Sequence, residues 1–419
     1  MNGVRGLVPL VIQFPTVLSV VFTAGLGFPS PPFSFRLGRV KVLIVPDKFK
    51  GTLTAQQATQ AIARGWQRAR PEDVLDLLPM SDGGDGFGAV SSSLLKARPR
   101  RARTVDAAHR PCSVTWWWNS KSKTAIIESA NVIGLARLPH GKFHPFDRDS
   151  FGLGKLMLAV RKQGAKKIIL GLGGSATNDG GFGMARALGW KFLDRNEREL
   201  TRWIELERLA RIAPPEHRFG VPILSATDVS NHLLGKRGAT RIFGPQKGLC
   251  ASDLEKGEAC LRQLASKVAR ATGVNHAIRA GAGAAGGLGF GLMAFAGASA
   301  RKGFDLFARW SRLRTRVAKS DLVITGEGRL DASSLMGKGV GEVSAVCKGQ
   351  GVPCFLICGS LEGSAGLGKG HFCRISALAA MASRSKARHA AGHWLEELAY
   401  HEAKQWNSAR SNGWFNARK

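Results

Sequence analysis

Five glycine-rich loops of this 419-residue chain also carry a carboxylate or a lysine, a combination that suits the binding of an anion. They are P-D-K-F-K-G from Pro46, S-D-G-G-D-G from Ser81, G-L-G-G-S-A-T-N-D-G-G from Gly171, G-P-Q-K-G from Gly244 and T-G-E-G-R-L-D from Thr325. Glycine lets the backbone approach a ligand closely, and successive N–H groups at a helix start attract phosphate or carboxylate. One such loop is more often a turn than a site, but most of these five directly follow apolar segments.

Together the loops supply the groups that phosphoryl transfer needs. Lysines and backbone N–H groups offset phosphate charge, while carboxylates hold Mg²⁺ or accept the proton of the nucleophile. The sequence contains neither G-x-x-x-x-G-K-[ST] nor H-R-D-x-x-x-x-N, so the Walker and protein-kinase solutions are excluded. A kinase built on these loops would belong to another lineage.

Strands that alternate with helices must position the loops. Short apolar segments predict strands at 40–45, 74–79, 124–128, 168–170, 221–226, 322–324 and 354–357. Thr54, with Gln57 three residues later, predicts a capping box at the start of the helix that follows the first strand. This alternation predicts an α/β fold with a largely parallel sheet, whose ligands bind at the carboxyl ends of the strands.

The formal charge of +31 would by itself suggest a nucleic-acid partner, with residues 96–123 and their three consecutive tryptophans as the contact. We favour solvated basic faces instead, because most basic residues are spread over amphipathic helices, and we expect no nucleic acid to be bound. The seven cysteines form no C-x-x-C pair and no set with histidine at zinc spacing, which favours a reduced, cytoplasmic chain.

Residues 7–28 are apolar and could be mistaken for a signal peptide or a membrane span. Two prolines and a glycine weaken the span, and no A-x-A cleavage site follows. We interpret residues 1–39 as an N-terminal extension outside the fold and expect no membrane partner.

The motifs, taken in order, resemble those of the type-1 glycerate kinases. They are V-P-D-K-F-K-G-T-L-T-A, S-D-G-G-D-G, L-G-G-S-A-T-N-D-G-G, A-T-D-V-S-N, F-G-P-Q-K-G, A-A-G-G-L-G and L-V-I-T-G-E-G-R-L-D. The resemblance implies ATP-dependent phosphorylation of D-glycerate with Mg²⁺, and it leaves a homodimer open. It also implies two α/β domains with the active site between them: a flavodoxin-like parallel-sheet unit from residues 40–80 and 286–385, and an inserted restriction-enzyme-like unit at 81–285. Residues 386–419 would form a C-terminal helix and tail.

The resemblance also suggests roles for individual residues. Lys50 and Lys247 are the expected phosphate contacts. Asp228 is the candidate base for the accepting hydroxyl, with Asp179 as a rival that the sequence cannot rank. The anion nest, for ATP phosphates or the glycerate carboxylate, would consist of Gly173, Gly174, Ser175, Thr177 and Asn178.

Two acidic pairs complete the expected site. Asp82 and Asp85 share one tight turn and would converge on a cation or on substrate hydroxyls, although a turn-capping role is as good an interpretation of Asp85. Glu327 and Asp331 would bind Mg²⁺ or the nucleotide, and a salt bridge to Arg329 or Lys338 is the structural alternative. We therefore assign Lys50, Asp82, Asp179 and Asp228 to catalysis, the nest with Lys247 and Glu327 to the nucleotide, and Asp85 and Asp331 to the metal.

The chain departs from the family pattern at several positions. Lys48 stands where the family usually has serine, Asp85-Gly86-Phe87 where it has Glu-Gly-Thr, His232 where it has proline, and Ser333-Ser334 where it has Gln-Thr. Because Phe87 lacks a hydroxyl and Ser333 an amide, a kinase for another small hydroxy acid is the alternative function. A basic nucleic-acid-binding protein is the alternative from a different class.

Overall fold

The computed structural model describes residues 39–335, 339–363, 368 and 370–406. The expected N-terminal extension up to residue 38 and the tail from residue 407 lie outside the described residues. Strands and helices alternate along the described chain and build parallel sheets, which confirms the α/β prediction.

Thirteen strands and fourteen α-helices, with six short 3₁₀ helices, make up the described fold. The strands are β1 Lys41–Pro46, β2 Val74–Leu77, β3 Arg98–Val105, β4 Pro111–Asn119, β5 Thr124–Glu128, β6 Lys167–Gly171, β7 Lys191–Leu193, β8 Arg211–Ala213, β9 Ile223–Thr227, β10 Ser299–Lys302, β11 Leu322–Leu330, β12 Cys354–Leu361 and β13 Arg374–Ala377. The helices are α1 Ala55–Ala69, α2 Phe87–Leu94, α3 Ala130–Ile133, α4 Phe151–Lys162, α5 Phe182–Ala187, α6 Ala239–Phe243, α7 Ala251–Thr272, α8 Ala284–Ala296, α9 Gly303–Ser311, α10 Leu313–Ala318, α11 Ala332–Leu335, α12 Gly339–Lys348, α13 Arg384–His389 and α14 Ala391–Gln405.

The first sheet has five parallel strands in the order β2-β1-β11-β12-β13. Counted within the sheet this is the order 2-1-3-4-5, which is the doubly wound order of flavodoxin. Its switch point lies between β1 and β11, where the chain leaves the middle of the sheet in opposite directions. Ligands of such sheets bind outside the carboxyl ends of those two strands.

Both faces of the five-stranded sheet are buried, as its apolar strands require. Leu43 and Val45 of β1 point into a core with α12, while Val42 and Ile44 point into a second core with α1 and α14. The alternation follows from the period of two in a strand.

The second sheet has six strands in the order β10-β9-β6-β5-β4-β3. Strands β10, β9, β6 and β5 are parallel, and β4 and β3 continue the sheet antiparallel. Helices α4, α5, α7 and α8 cover one face with the largest core, while α2 and α9 cover the other. Strand β10 belongs to this sheet although it follows the domain boundary expected at residue 285.

Helix α1 begins at the capping box that the sequence predicts. The Gln57 backbone N–H donates to Thr54 Oγ1 at 3.2 Å, and the Thr54 N–H donates to Gln57 Oε1 at 2.9 Å. Two of the N–H groups without a partner in the helix are satisfied in this way, so the loop before α1 enters the helix with a fixed geometry.

The small residues at 281–291 allow close packing within the six-stranded unit. A Cβ on Gly291 would lie 2.7 Å from the Gly181 Cα, and one on Gly286 would collide with the Thr177 carbonyl oxygen. Helix α8 therefore packs directly against the backbone of the 172–181 loop. Among the described residues, no helix is both long and apolar enough to cross a membrane.

Candidate active site

The carboxyl ends of both sheets open into one cleft with a volume of about 2390 Å³. Asp47 follows β1, Leu172 follows β6 and Asp228 follows β9, and all three residues line the cleft. The Asp47 N–H donates to the Gly326 carbonyl of β11 at 2.8 Å, so the switch point of the five-stranded sheet faces this space. The cleft is therefore where the fold places a ligand.

The loop after β1 carries two lysines into the cleft. Phe49 is 2% exposed and fixes the loop, with its N–H donating to the Leu53 carbonyl at 2.9 Å. Lys50 is exposed, and its backbone N lies 3.0 Å from a Cβ built on Gly328 of β11. Lys50, a predicted site residue, therefore lies at the edge of the cleft next to the switch point. Lys48 extends deeper into the cleft, and its Nζ lies beside Gly84.

The S-D-G-G-D-G loop crosses from one sheet to the other by backbone contact. A Cβ on Gly173 would lie 2.7 Å from the Gly84 Cα, and one on Gly174 would collide with Asp85 Oδ1. Only glycine permits this approach, which holds Asp82 and Asp85 against the glycine-rich loop. Both carboxylates line the cleft, and the Asp82 carboxylate also accepts from the Gly84 N–H at 3.3 Å.

Glu128, which the sequence analysis did not single out, fixes the end of that loop. Its carboxylate accepts from the Gly86 N–H at 2.8 Å and from the Gly88 N–H at 2.9 Å, at the start of α2. Burial raises the pKa of Glu128, and the two backbone hydrogen bonds partly oppose the rise. The available signal was a carboxylate at the end of the apolar strand T-A-I-I-E.

The predicted anion nest divides into an exposed and a buried half. Gly173, Gly174 and Ser175 line the cleft, whereas Thr177 and Asn178 are fully buried beneath it. Asn178 Nδ2 donates to Thr240 Oγ1 at 3.0 Å, so its amide supports the loop from inside. The half that faces the cleft keeps the backbone geometry that an anion needs, with Gly174 at a φ of 62°.

Lys247 supports the same loop. It is 5% exposed, and its ammonium donates to Ser175 Oγ at 3.0 Å and to the Thr177 carbonyl at 2.7 Å. Burial lowers the pKa of Lys247 to about 7. Its hydrogen bonds hold the nest in shape, and its predicted contact with a phosphate stays a prediction.

Asp179 does not reach the cleft. It is fully buried, and its Oδ2 accepts from the Ser150 N–H at 2.9 Å, from Ser150 Oγ at 2.7 Å and from the Gly183 N–H at 2.9 Å. Its Oδ1 accepts from the Gly181 N–H at 3.2 Å. Because Asp179 is buried in the core and does not line the cleft, we interpret it as a structural residue, and this geometry does not support its predicted role as the rival base.

Asp228 lies in the cleft at the end of β9, where it meets the charges of the first loop. It acts electrostatically on Asp47 and on Lys48. Of the two aspartates that the sequence could not rank, Asp228 lines the cleft and Asp179 does not.

Glu327 and Asp331 come from β11 and the turn after it, and both line the cleft. Burial, and then the neighbouring charges of Asp47 and Asp331, raise the pKa of Glu327 to about 7. Asp331 accepts from the Ser334 N–H at 3.2 Å and lies 3.4 Å from Arg329 Nη2, so the structural alternative of a salt bridge to Arg329 is present. Lys338, the other partner considered, lies outside the described residues.

The arrangement of these carboxylates bears on whether the protein alone could bind a metal ion. Within the described ranges, no three His, Cys, Asp or Glu side chains lie close enough together to hold a metal ion. Asp331 Oδ2 lies 3.4 Å from Arg329 Nη2, and Asp85 acts electrostatically on the Lys48 ammonium. The described residues therefore do not form a complete metal site by themselves, and the assignment of Asp85 and Asp331 to a metal stays a prediction.

Phe87 is a core residue and not part of the cleft lining. It is 1% exposed, a Cβ on Gly171 would collide with its ring, and the ring lies 6.3 Å from that of Trp310. The hydroxyl that the family pattern places here is replaced by a side chain that fills the space between α2, β6 and α9. Phe87 therefore gives no reason to expect a different acceptor.

Known proteins are similar to this chain in sequence and in fold. The chain matches the Glycerate kinase family over residues 42–407. It is 36% identical to the glycerate 2-kinase of Escherichia coli K12, over 78% of this chain and 87% of that protein. It is likewise 36% identical to the glycerate kinase of Bacillus subtilis 168, over 77% of this chain and 86% of the relative.

A solved structure agrees with the sequence relatives. The crystal structure of a protein described as glycerate kinase 2 from Salmonella typhimurium LT2 superimposes with a TM-score of 0.74 at 31% identity, over 89% of this chain and all of the other. The similarity to these proteins therefore covers most of the chain, including the motifs and both sheets that form the cleft. This chain belongs to the glycerate kinase family.

Proposed function

We propose that the protein is a type-1 glycerate kinase, which transfers the terminal phosphoryl group of ATP to a hydroxyl of D-glycerate. The observation that carries this proposal is the meeting of the first loop, the S-D-G-G-D-G loop, the nest and Asp228 around one cleft, in a chain of the glycerate kinase family. Two sheets contribute opposite walls, so a nucleotide and a small acid can bind face to face.

The chemistry follows from the placement of charge. Asp228 accepts the proton of the attacking hydroxyl, because it lines the cleft at a strand end while Asp179 does not. Lys50 and Lys48 offset the charge of the phosphoryl group as it moves, and the N–H groups of Gly173, Gly174 and Ser175 hold an anionic group of one substrate. Little covalent work remains for the protein, so positioning and charge carry the catalysis.

Mg²⁺ belongs to the nucleotide substrate in this proposal. A kinase site commonly receives the ion through the phosphates with only one or two protein carboxylates. We infer the cytoplasm as the compartment, because the reaction consumes ATP.

The test is turnover with purified protein, ATP and Mg²⁺, with ADP release measured for D-glycerate, L-glycerate and other small hydroxy acids. We expect D-glycerate to give the highest kcat/KM, and NMR of the product then identifies which hydroxyl carries the phosphate. The matched control is Asp228→Asn, which should bind ATP and lose turnover. Turnover with another hydroxy acid and none with D-glycerate would refute the proposed acceptor, and no ADP release with any acid would refute the kinase.

A further inference from the structure

Lys48 places an ammonium group inside the acidic part of the cleft. It follows Asp47 at the end of β1, and its Nζ lies 3.3 Å from the position that a Cβ on Gly84 would occupy. Asp82 Oδ1 lies 3.4 Å from the same position. The side chain therefore crosses from the five-stranded sheet to the loop that joins the two sheets.

Four carboxylates act on this ammonium. They belong to three separate segments of the chain and are those of Asp47, Asp82, Asp85 and Asp228. Burial acts to lower the pKa of Lys48, but the four carboxylates outweigh burial and raise it, so the side chain keeps its charge. A concentration of negative charge in a half-buried site needs a cation, and here the chain supplies one.

While the Lys48 side chain is present, the same carboxylates are not arranged as a metal site. In the part of the chain that the structure describes, no group of three acidic, histidine or cysteine side chains could hold an ion. Among the described residues, Asp85 Oδ1 is buried without a hydrogen-bond partner, and the Asp85 carboxylate acts electrostatically on the Lys48 ammonium. A divalent ion bound to Asp85 would have to meet or displace the ammonium.

We propose that Lys48 is the resident cation of this acidic cluster and occupies the place that a protein-bound divalent ion would fill. Metal then reaches the site only with the nucleotide. The inference refines the site of the proposed function, but its central claim concerns the protein without nucleotide and does not depend on which acid is phosphorylated.

Manganese binding in the absence of nucleotide tests the proposal. The free Mn²⁺ signal in electron paramagnetic resonance falls as the ion binds, so a titration gives affinity and stoichiometry without any turnover. Wild type should show only weak binding spread over the surface. Lys48→Ser and Lys48→Met should each gain one site, with affinity higher by about tenfold or more, because a like charge next to the ion has been removed.

Three controls identify the gained site. Lys48→Arg keeps the charge and should behave as wild type, and Lys121→Ser removes an exposed lysine of the turn between β4 and β5 and should change nothing. The double variant Lys48→Ser/Asp85→Asn should lose the site again. A misfolded variant could not gain a single site that depends on Asp85.

Two results would overturn the inference. One is a single Mn²⁺ site in wild type as tight as that in Lys48→Ser, and the other is the absence of a gained site in both Lys48→Ser and Lys48→Met. Either result leaves the kinase assay unaffected, and a failed kinase assay leaves the manganese titration unaffected.

Discussion

Asp179 and Asp228 share a residue type but differ in surroundings, and the difference predicts opposite effects of the same substitution. Asp228 lines the cleft, so Asp228→Asn should lower kcat by about 10²- to 10⁴-fold, the usual contribution of a general base, with little change in melting temperature. Asp179 accepts hydrogen bonds on both oxygens, so Asp179→Asn leaves a buried donor without an acceptor at a cost of about 1–3 kcal/mol.

Kinetics and thermal denaturation of the two variants, measured side by side, separate the roles. We expect Asp179→Asn to melt earlier while its folded fraction keeps most of its kcat. An Asp179→Asn protein as stable as wild type but inactive would return Asp179 to the position of base.

Glu327 makes the stability of the protein depend on pH. Its pKa rises from an ordinary value of 4.5 to about 7 on folding, chiefly through burial. Between these two values the folded state binds more protons than the unfolded state, so the free energy of unfolding falls as pH rises through this window. Glu327→Gln removes the charge that burial penalises, so it should stabilise the protein above about pH 7 and have little effect below about pH 4.5.

Melting temperatures of wild type and Glu327→Gln at pH values on both sides of this window check the sign. Glu72→Gln removes an exposed carboxylate and serves as the control. A Glu327→Gln protein that is less stable than wild type at high pH would mean that the carboxylate is stabilised by its neighbours and not penalised by burial.

At the scale of elements, the packing of α1 on α14 depends on one glycine. A Cβ on Gly65 would collide with the Glu396 carbonyl oxygen and lie 2.9 Å from the Ala399 Cβ. In an exposed helix, Gly→Ala gains about 1 kcal/mol of helix propensity, but overpacking costs about 1–3 kcal/mol, and here the obstacle is backbone. Gly65→Ala should therefore lower the melting temperature.

Gly392 is the matched control on the partner helix. Its Cβ would meet only Leu53 Cδ2 at 3.8 Å, an ordinary contact, so Gly392→Ala should leave stability unchanged or raise it. Equal melting temperatures for the two alanine variants would show that α1 and α14 can move apart at no cost.

Most strands that the sequence predicts lie inside a sheet, where both faces are buried. Strands β1, β5, β6, β9, β11 and β12 are of this kind and were found from short apolar runs, as was the edge strand β2. Strands β3, β10 and β13 were not, because they are edge strands with polar sequences such as R-P-R-R-A-R-T-V, and an edge strand owes its conformation to its single neighbour.

The site shows the same limit. Lys50, Asp82 and Asp228 follow apolar strands, so their convergence could be predicted from the parallel sheet. The role of Glu128 and the burial of Asp179 could not, because the partners of Asp179 include Ser150, which lies 29 residues away in sequence. The packing of the Trp117 ring on Gly88 of α2 could not be predicted either, because the two residues come from different elements.

At the scale of the whole molecule, the charge of the chain and the charge of the cleft differ. The chain carries a formal charge of +31. In the cleft lining, however, the acidic residues (Asp and Glu together) are as many as the basic residues (Lys and Arg together). The positive excess therefore lies outside the cleft. The field of this excess charge attracts anionic substrates from solution. Because the charges of the cleft lining balance, the affinity of a bound substrate depends on its local contacts.

Because the excess charge lies outside the cleft, we expect salt to slow the association of substrates more than it slows the chemical step. The screening length falls from about 30 Å at 0.01 M ionic strength to about 3 Å at 1 M, so kcat/KM for ATP and for glycerate should decrease over this range while kcat stays nearly constant. Steady-state kinetics in KCl, with sucrose as an uncharged cosolute, measure the effect. The triple variant Arg98→Gln/Arg101→Gln/Arg103→Gln removes exposed charge from the edge strand β3, away from the cleft lining, and should reduce the salt dependence without changing kcat. If kcat/KM does not respond to salt, the surface charge has no part in substrate capture and the local charges of the cleft account for binding alone.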